Sequence, residues 1–542
     1  MTDTTLAVLT RRAHERYPSA PAVLGASGGL DFAALGAAAR RIAYRLDRRG
    51  LRAGDRVLLA LANCAELMLC EHALFGSGLV RVAVSERLHP REIAGIAADC
   101  AAALVVCEPA AAPAVRDLLH RDEATARTVV LPAAEAAALA EPGVPDRWPD
   151  RPLPGADDLA ALMYTSGSTG RPKGAMVSQR GWVAMLRGFW AALPPLGPGD
   201  VAVHAAPMSH FGGSVGTAVT LRGGAAVPVR RFDPGAVLDT VARHGATVLP
   251  SVPTMLKSLT EAAAGRDDLG CLRAIPYGGS GISAPAAARA QQVFGTVLYQ
   301  CYGLSEALAP VTVLDARDHA AGGPRLAAAG RPTPEVEIRI VPADGQPPEA
   351  AATGSVGQGG AGPATATGGS DVDGAASSEP IGEVWLRGDC VLPGYWARPE
   401  ATAAARTPGG WFRTGDVGRI DADGYLYLVD RISDVIVSGG FTVYPSEVER
   451  AIAELPEVAD VVVFGVSHER WGEAVAALVV PAAGAALSTA DVVQACRDRL
   501  ASYKKPLQVE IADSLPTSST GKVARRALRA AAWARHERHV GQ

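Results

Sequence analysis

Tyr164-Thr-Ser-Gly-Ser-Thr-Gly-Arg-Pro-Lys-Gly174 decides the reading of this chain. The stretch follows an apolar run at 159–163 and precedes a helical pattern that begins near Ser178. It holds the hydroxyl residues Thr165, Ser166, Ser168 and Thr169, the glycines Gly167, Gly170 and Gly174, and Lys173. Glycine lets the backbone approach a polyanion closely and adopt positive φ, so that successive N–H groups converge on phosphate oxygens. The hydroxyls add donors, and the lysine supplies a point charge for a terminal phosphate. The Walker A spacing G-x-x-x-x-G-K-[ST] is absent, so this is a phosphate-cradling loop of another kind. A flexible Gly/Ser linker is the competing reading, but a linker seldom has an apolar strand at its start and Pro-Lys-Gly at its end.

A chain of 542 residues has room for a large domain and a smaller one. Its 48% hydrophobic and 20% charged content are those of an ordinary globular protein. A formal net charge of −4 leaves no polycationic surface for nucleic acid or membrane. The richest apolar region, 57–84, is interrupted by Glu66, Glu71 and Arg81, so no membrane span is expected. Met1-Thr-Asp-Thr-Thr5 lacks the basic and apolar regions of a signal peptide. The eight cysteines are scattered without a C-x-x-C pair, which argues for a reducing, cytoplasmic setting and against a zinc site. Most are expected to be small buried hydrophobes.

From about 55 to 300, short apolar runs alternate with amphipathic ones: strands at 57–62 and 79–84, helices at 65–76 and 90–98, and the same rhythm from 201 to 300. Repeated βα units of this length imply largely parallel sheets with helices on their faces. Beyond Tyr302 the period shortens to two at 336–341, 381–387, 418–420 and 425–429, which predicts a β-rich subdomain. Residues 344–380, rich in Gly, Ala, Ser, Thr and Pro, have almost no large apolar side chain and read as a disordered surface insertion. A boundary is expected near Asp430-Arg-Ile-Ser-Asp434, dividing 1–430 from a small α+β domain at 431–542.

Other segments agree with the phosphate loop. Tyr302-Gly-Leu-Ser-Glu306 follows an expected strand at 296–300, at the C-terminal end where α/β sheets bind ligands. An aromatic ring, a hydroxyl and a carboxylate in that order can stack on a base, contact a phosphate and hold Mg²⁺. Trp411-Phe-Arg-Thr-Gly-Asp416 puts a carboxylate on a tight turn, and Leu515-Pro-Thr-Ser-Ser-Thr-Gly-Lys522 offers a second lysine on a polar loop. Each is weak alone: Asp416 could cap a turn, and Lys522 could be a solvated charge.

In this order the segments resemble the adenylate-forming superfamily of acyl-CoA synthetases, luciferases and nonribosomal adenylation domains, over residues 31–528. The resemblance implies a large N-terminal domain of two α/β-layered sheets plus a β-subdomain, then a small mobile C-terminal domain. It implies an enzyme that joins ATP to a carboxylic acid, releases pyrophosphate and passes the acyl group to a nucleophile. Thr165, Ser166, Gly167, Ser168, Thr169, Gly170 and Lys173 would then surround the β- and γ-phosphates, and Gly279, Ser280 and Tyr302 the adenine. Ser305 would touch the α-phosphate, Glu306 the Mg²⁺, and Asp416 with Arg431 the ribose. Lys522 would bridge the substrate carboxylate and the α-phosphate, whose mutual repulsion a cation offsets.

The acceptor implied most directly is CoA. Pro207-Met-Ser-His210 resembles the acyl-pocket segment of aryl-CoA ligases, with His210 as the gate, and no Asp from 204 to 214 is present to pair with an amino-acid ammonium. Ser438-Gly439-Gly440 resembles the glycine turn that lines a pantetheine tunnel. Trp471, Tyr503 and Lys505 match positions that contact the CoA nucleotide, with core packing the competing reading for the two aromatics. Three positions depart from the family pattern: Ser433 at the hinge, Thr442 after the glycine turn, and Ser280-Gly281 beside the adenine. The alternatives keep the adenylation but transfer to a carrier-protein thiol or an amine, or adenylate a non-standard acid. A nucleotide-binding regulatory protein without turnover is more distant, because binding alone would not require Lys522.

Overall fold

The run Arg56–Ala60 forms a strand whose Val57, Leu58, Leu59 and Ala60 are all buried, as a central parallel strand covered on both faces requires. It belongs to a six-stranded sheet ordered Val129–Pro132, Leu104–Cys107, Arg56–Ala60, Val80–Ala83, Leu159–Thr165 and Lys173–Ser178. All neighbours are parallel except the last pair, in which Lys173–Ser178 returns antiparallel with Thr165 opposite Lys173. The computed structural model describes residues 4–25, 28–165, 172–342, 379–432, 434–438, 441–468, 471–516, 523–525 and 527–532, and of 165, 442 and 472 the backbone alone.

The chain forms two compact units, one of residues 1–337 and 386–412, the other of 338–385 and 413–542. In the first unit, a second sheet runs Gly28–Asp31, Pro21–Gly25, Ala225–Pro228, Val201–His204, and a third runs Ile275–Gly278, Leu298–Tyr302, Thr312–Leu314, Arg331–Pro332. Val248 bridges in parallel to both Ala202 and Ala274, joining these two sheets edge to edge. Residues 247–249 supply only this bridge between the two sheets. The first unit is therefore built on two sheet surfaces, as the resemblance implied. Helices cover them for local reasons: Phe32–Arg48 starts where the Asp31 side chain accepts from Ala34 N, and buries Phe32, Leu35, Ala39, Ile42 and Leu46 along one stripe.

Glu337–Val341, Gly382–Arg387, Phe412–Ile420 and Leu426–Arg431, which fall largely in the second unit, make the expected β-rich sheet. A five-stranded sheet follows, in which Val458–His468 and Gly472–Pro481 pair antiparallel and Gln508–Ile511 adds in parallel. Helices Pro445–Ala453 and Thr489–Arg499 contribute Val448, Ile452, Val492 and Cys496 to its core. All but 379–380 of the expected insertion lies outside the described residues, as do Ser433 and the loop 517–522. Among the described residues no helix is long and apolar enough to cross a membrane. The eight cysteines are free thiols, and all but Cys271 are buried, which raises the thiols of Cys64, Cys70 and Cys100 to about 12.

Candidate active site

The parallel strands Val201–His204, Ile275–Gly278 and Leu298–Tyr302 end at one edge of the joined surface. Three exit segments leave from that edge: 205–210, Gly279–Ser280 and 303–306. Backbone groups and strand-end side chains converge at such an edge, and α/β sheets place ligands there. Gly278 pairs with Cys301, so Gly279–Ser280 and Tyr302–Glu306 emerge from neighbouring strands. Gly279 has φ of 93°, a left-handed turn that a side chain would strain, and both it and Ser280 are exposed. Tyr302, Ser305 and Glu306 are half-buried. The loop is held by Leu304 N donating to Ala307 O at 2.8 Å and Leu392 N donating to Glu306 O at 2.7 Å.

Residues 166–171 of the phosphate loop lie outside the described residues, but both of its ends are fixed. Tyr164 pairs with Gly174, and the Tyr164 hydroxyl donates to Asp99 Oδ2 at 2.6 Å. Burial and the neighbouring Asp99 and Cys100 hold this phenol far above its ordinary pKa, so it remains a neutral donor. Lys173 opens a strand, whereas the sequence placed it at the end of a loop; the alternation of Lys173–Ser178 pairs as readily as the apolar run before it. Tyr395 comes from far along the chain to this strand, pairing antiparallel with Ala175. Its hydroxyl donates to Glu306 Oε1 at 3.1 Å, and Lys173 Nζ lies 5.5 Å from its ring centroid.

The segment ending at His210 is braced from the six-stranded sheet. Asn63 Nδ2 donates to His204 O at 2.9 Å and Ala206 O at 3.0 Å, and its Oδ1 accepts from Met208 N at 2.8 Å. Arg81, 2% exposed, pairs with Glu71 at 2.6 Å, donates to Met208 O at 3.0 Å, and stacks 5.5 Å from the Trp182 ring. Burial raises the Glu71 carboxyl above the usual carboxylate range, and the Arg81 charge opposes that rise. His210 Nδ1 sits 2.8 Å from Ser209 Oγ, just before helix Phe211–Thr220. That helix starts so close to the turn that a Cβ on Gly212 would lie 2.7 Å from Ala206 O. None of Asn63, Arg81 and Tyr395 was identified as functional from the sequence. The one local signal among them is the Arg81 charge inside an apolar run.

In the second unit, Asp416 and Arg431 are register partners, with Arg431 Nε 3.0 Å from Asp416 Oδ1. Asp416 is buried and its N–H donates to Thr414 Oγ1 at 3.0 Å. Ser438 is buried and pairs with Phe441 across a turn whose Gly439 and Gly440 lie outside the described residues. Trp471 stacks on His468 and Tyr503 on Phe441, both at 4.6 Å between centroids, and both residues are exposed at 38% and 37%. The core-packing reading of these two aromatics is therefore overturned: they cap the surface of the unit. Lys505 is half-buried, while its neighbour Lys504 is buried against Glu447 at 2.5 Å. Arg525, three residues beyond Lys522, donates to Glu449 at 2.6 Å and Asp434 at 3.3 Å and lies 3.7 Å from Asp430. Lys522 itself is outside the described residues.

Comparison with known proteins settles the family. The model described as AMP-binding enzyme matches residues 10–396, and that described as AMP-binding enzyme C-terminal domain matches 447–522. This chain belongs to the AMP-binding enzyme family. The membership agrees with the order of motifs from the phosphate loop to the Gly521-Lys522 segment. A feruloyl-CoA synthase from Amycolatopsis sp. is 36% identical over 519 residues, covering 93% of this chain and 94% of its own. The fatty acid–[acyl-carrier-protein] ligase ScoC of Streptomyces coeruleorubidus is 33% identical, covering 98% of each. The solved structure of the amide bond synthetase McbA from Marinactinospora thermotolerans is 30% identical with a TM-score of 0.81, covering 97% of this chain and 99% of that one. The AMP-binding enzymes similar to this chain thus span three named products: a CoA thioester, a carrier-protein thioester and an amide.

Proposed function

We propose that this AMP-binding enzyme is an ATP-dependent acid–thiol ligase that converts a carboxylic acid to its acyl-AMP, releases pyrophosphate and transfers the acyl group to CoA. The observation that carries the reading is the placement of Lys173 and Glu306 about one tyrosine, beside the strand-end segments 279–280 and 302–306. A carboxylate oxygen of the acid forms a bond to the α-phosphorus, and the bond to the bridging oxygen of pyrophosphate breaks. Lys173 is the cation for the departing phosphates, and Lys522 offsets the repulsion between the attacking carboxylate and the α-phosphate. The thiol sulfur then attacks the acyl carbonyl, AMP leaves as its phosphate anion, and the thiol proton is released.

Glu306 suits Mg²⁺: its carboxylate accepts a hydrogen bond from Tyr395 and retains further oxygen lone pairs for a hard cation. Mg²⁺ commonly takes one or two carboxylates and completes its shell with substrate phosphates and water, so a single protein carboxylate is a sufficient donor. When bound, the ion would neutralise phosphate charge. Asp416 and Arg431 are assigned to the ribose, Ser305 to the α-phosphate, His210 to the mouth of the acyl pocket, and Ser438, Trp471, Tyr503 and Lys505 to CoA. Residues 431–542 are read as a mobile domain that turns about Ser433 between the two half-reactions.

Transfer to a carrier-protein thiol or an amine is the second reading. It is favoured by Ser433 and Thr442 and by the ligase and amide synthetase relatives. The test is a pyrophosphate-release screen over aryl, fatty and amino acids, each with CoA, a holo carrier protein, an amine or no acceptor. The proposal expects acid-dependent pyrophosphate and a thioester only with CoA. Thioester on the carrier alone, or amide alone, would replace the acceptor; no pyrophosphate with any acid would overturn the adenylation.

A further inference from the structure

The segment Gly394-Tyr-Trp396 is an extra edge on the strand that carries Lys173. Met176 N donates to Gly394 O at 3.0 Å, Trp396 N donates to Gly174 O at 2.8 Å, and Tyr395 pairs with Ala175. Tyr395 N is tied in addition to Thr402 Oγ1 at 2.9 Å, on helix Pro399–Ala405. Alternate residues of a strand share a face, so Lys173 and Ala175 point the same way and Lys173 is the diagonal neighbour of Tyr395. The ring therefore meets the ammonium, and the separation of 5.5 Å is within cation–π range. The far end of the same ring carries the hydroxyl that donates to Glu306 at 3.1 Å.

Among the described residues Lys173 and Glu306 form no direct ion pair with each other, and both touch Tyr395. A direct pair would be costly for catalysis. It would take the cation from the phosphates and the carboxylate from the metal, and each substrate would have to break it on entry. Tyr395 gives each group a weaker partner instead: a ring face for the ammonium and one O–H for the carboxylate.

We propose that Tyr395 is a positioning residue that holds Lys173 and Glu306 apart, each oriented for its share of a magnesium–nucleotide complex. The inference rests on the reading of Lys173 and Glu306 as phosphate and metal contacts. The experiment uses the full chain with Tyr395→Phe, which keeps the ring and removes the hydroxyl, and Tyr395→Leu, which removes both. Binding of a non-hydrolysable ATP analogue is measured by calorimetry across a MgCl₂ titration, with melting curves as a fold check. Tyr395→Phe should raise the half-saturating Mg²⁺ several-fold and leave binding without Mg²⁺ unchanged. Tyr395→Leu should weaken binding about tenfold without Mg²⁺, through loss of the cation–π contact that holds the ammonium, and more than tenfold with Mg²⁺, where the hydroxyl is lost as well. In neither variant should the KM for the acid move. Wild-type chain that binds the analogue, with a Phe variant whose Mg²⁺ dependence matches it, overturns the role of Tyr395 alone. Wild-type chain that fails to bind the analogue overturns the function itself. If the Leu variant does not fold, the Phe variant decides.

Discussion

Replacing Arg81 by Met should turn a buried ion pair into a pH-dependent liability. The change keeps most of the side-chain volume but removes the charge 2.6 Å from Glu71 and the donor to Met208 O. Glu71 is left with burial alone, which raises its pKa, and without the cation that opposed the rise. The variant can fold only with Glu71 protonated. Holding a proton on a glutamate whose unfolded pKa is about 4.3 costs about 1.4 kcal/mol per pH unit above that value. The penalty is therefore roughly 1.6 kcal/mol at pH 5.5 and roughly 4.4 at pH 7.5, the latter within the ~3–5 kcal/mol typical of orphaning one buried partner. A carboxyl raised in the folded state contributes stability that is fully present below the unfolded pKa and lost as pH climbs toward the folded one. The wild type shares that sign over a narrower pH window, because Arg81 opposes the shift. The assay is urea unfolding at pH 5.5, 6.5 and 7.5, followed by tryptophan fluorescence, with the change confined to the transition of the first unit. Glu71→Leu/Arg81→Met should recover most of the loss. A deficit that does not grow with pH, or a double variant as unstable as the single one, would refute the reasoning.

Lys522→Ala should lower acyl-AMP formation by about 10²–10³, the loss typical of one preorganised charge, and spare thioester formation from supplied acyl-AMP; equal loss in both steps would remove the assigned role. Ser433→Pro fixes φ near −65° at the expected pivot, so single-turnover assays should show acyl-AMP accumulating on the enzyme, and unchanged transfer would place the pivot elsewhere. Replacing residues 345–378 with a short Gly/Ser linker should leave Tm and turnover nearly unchanged, because that composition cannot build a core. A loss of several kcal/mol would show that the segment packs.

What could be seen in the sequence follows from how each feature is encoded. Phosphate chemistry needs glycines, hydroxyls and a lysine within one short loop, so 164–174 is readable without any partner. Alternating apolar runs predicted the parallel strands at Arg56–Ala60 and Val80–Ala83 because both faces of such strands are buried. Asp416 and Arg431 were both assigned, although only the strand register shows that they meet. Tyr395 and the braces of the turn ending at His210 were invisible for a different reason. Tyr395 meets Glu306 across 89 positions, Arg81 meets Met208 across 127, and Asn63 meets Met208 across 145. No local period or spacing carries such contacts. The exposed Trp471 and Tyr503 mark the same limit, since an aromatic in a sequence does not say which side of it is solvent.

These long-range contacts give the first unit a common design. His210 and Glu306 follow strands of the joined sheet surface while Lys173 opens a strand of the six-stranded sheet, and each segment is fixed by side chains or backbone from elsewhere in the unit. Asn63 and Arg81 reach from the six-stranded sheet to the turn that ends at His210. The edge segment 394–396 fixes the strand of Lys173 and, through one phenol, the orientation of Glu306. Loop sequences can then vary at the turn assigned to the acyl pocket while the bracing groups hold the backbone. The brace at Arg81 is ionic and buried, so it tolerates neither loss of charge nor loss of partner, whereas an apolar contact of the same size would let the turn slide. The consequence is a separation that kinetics can read. Damage to the Arg81 brace should appear first in the KM for the acid, and damage at Tyr395 first in the Mg²⁺ dependence, with neither effect crossing over while the unit remains folded.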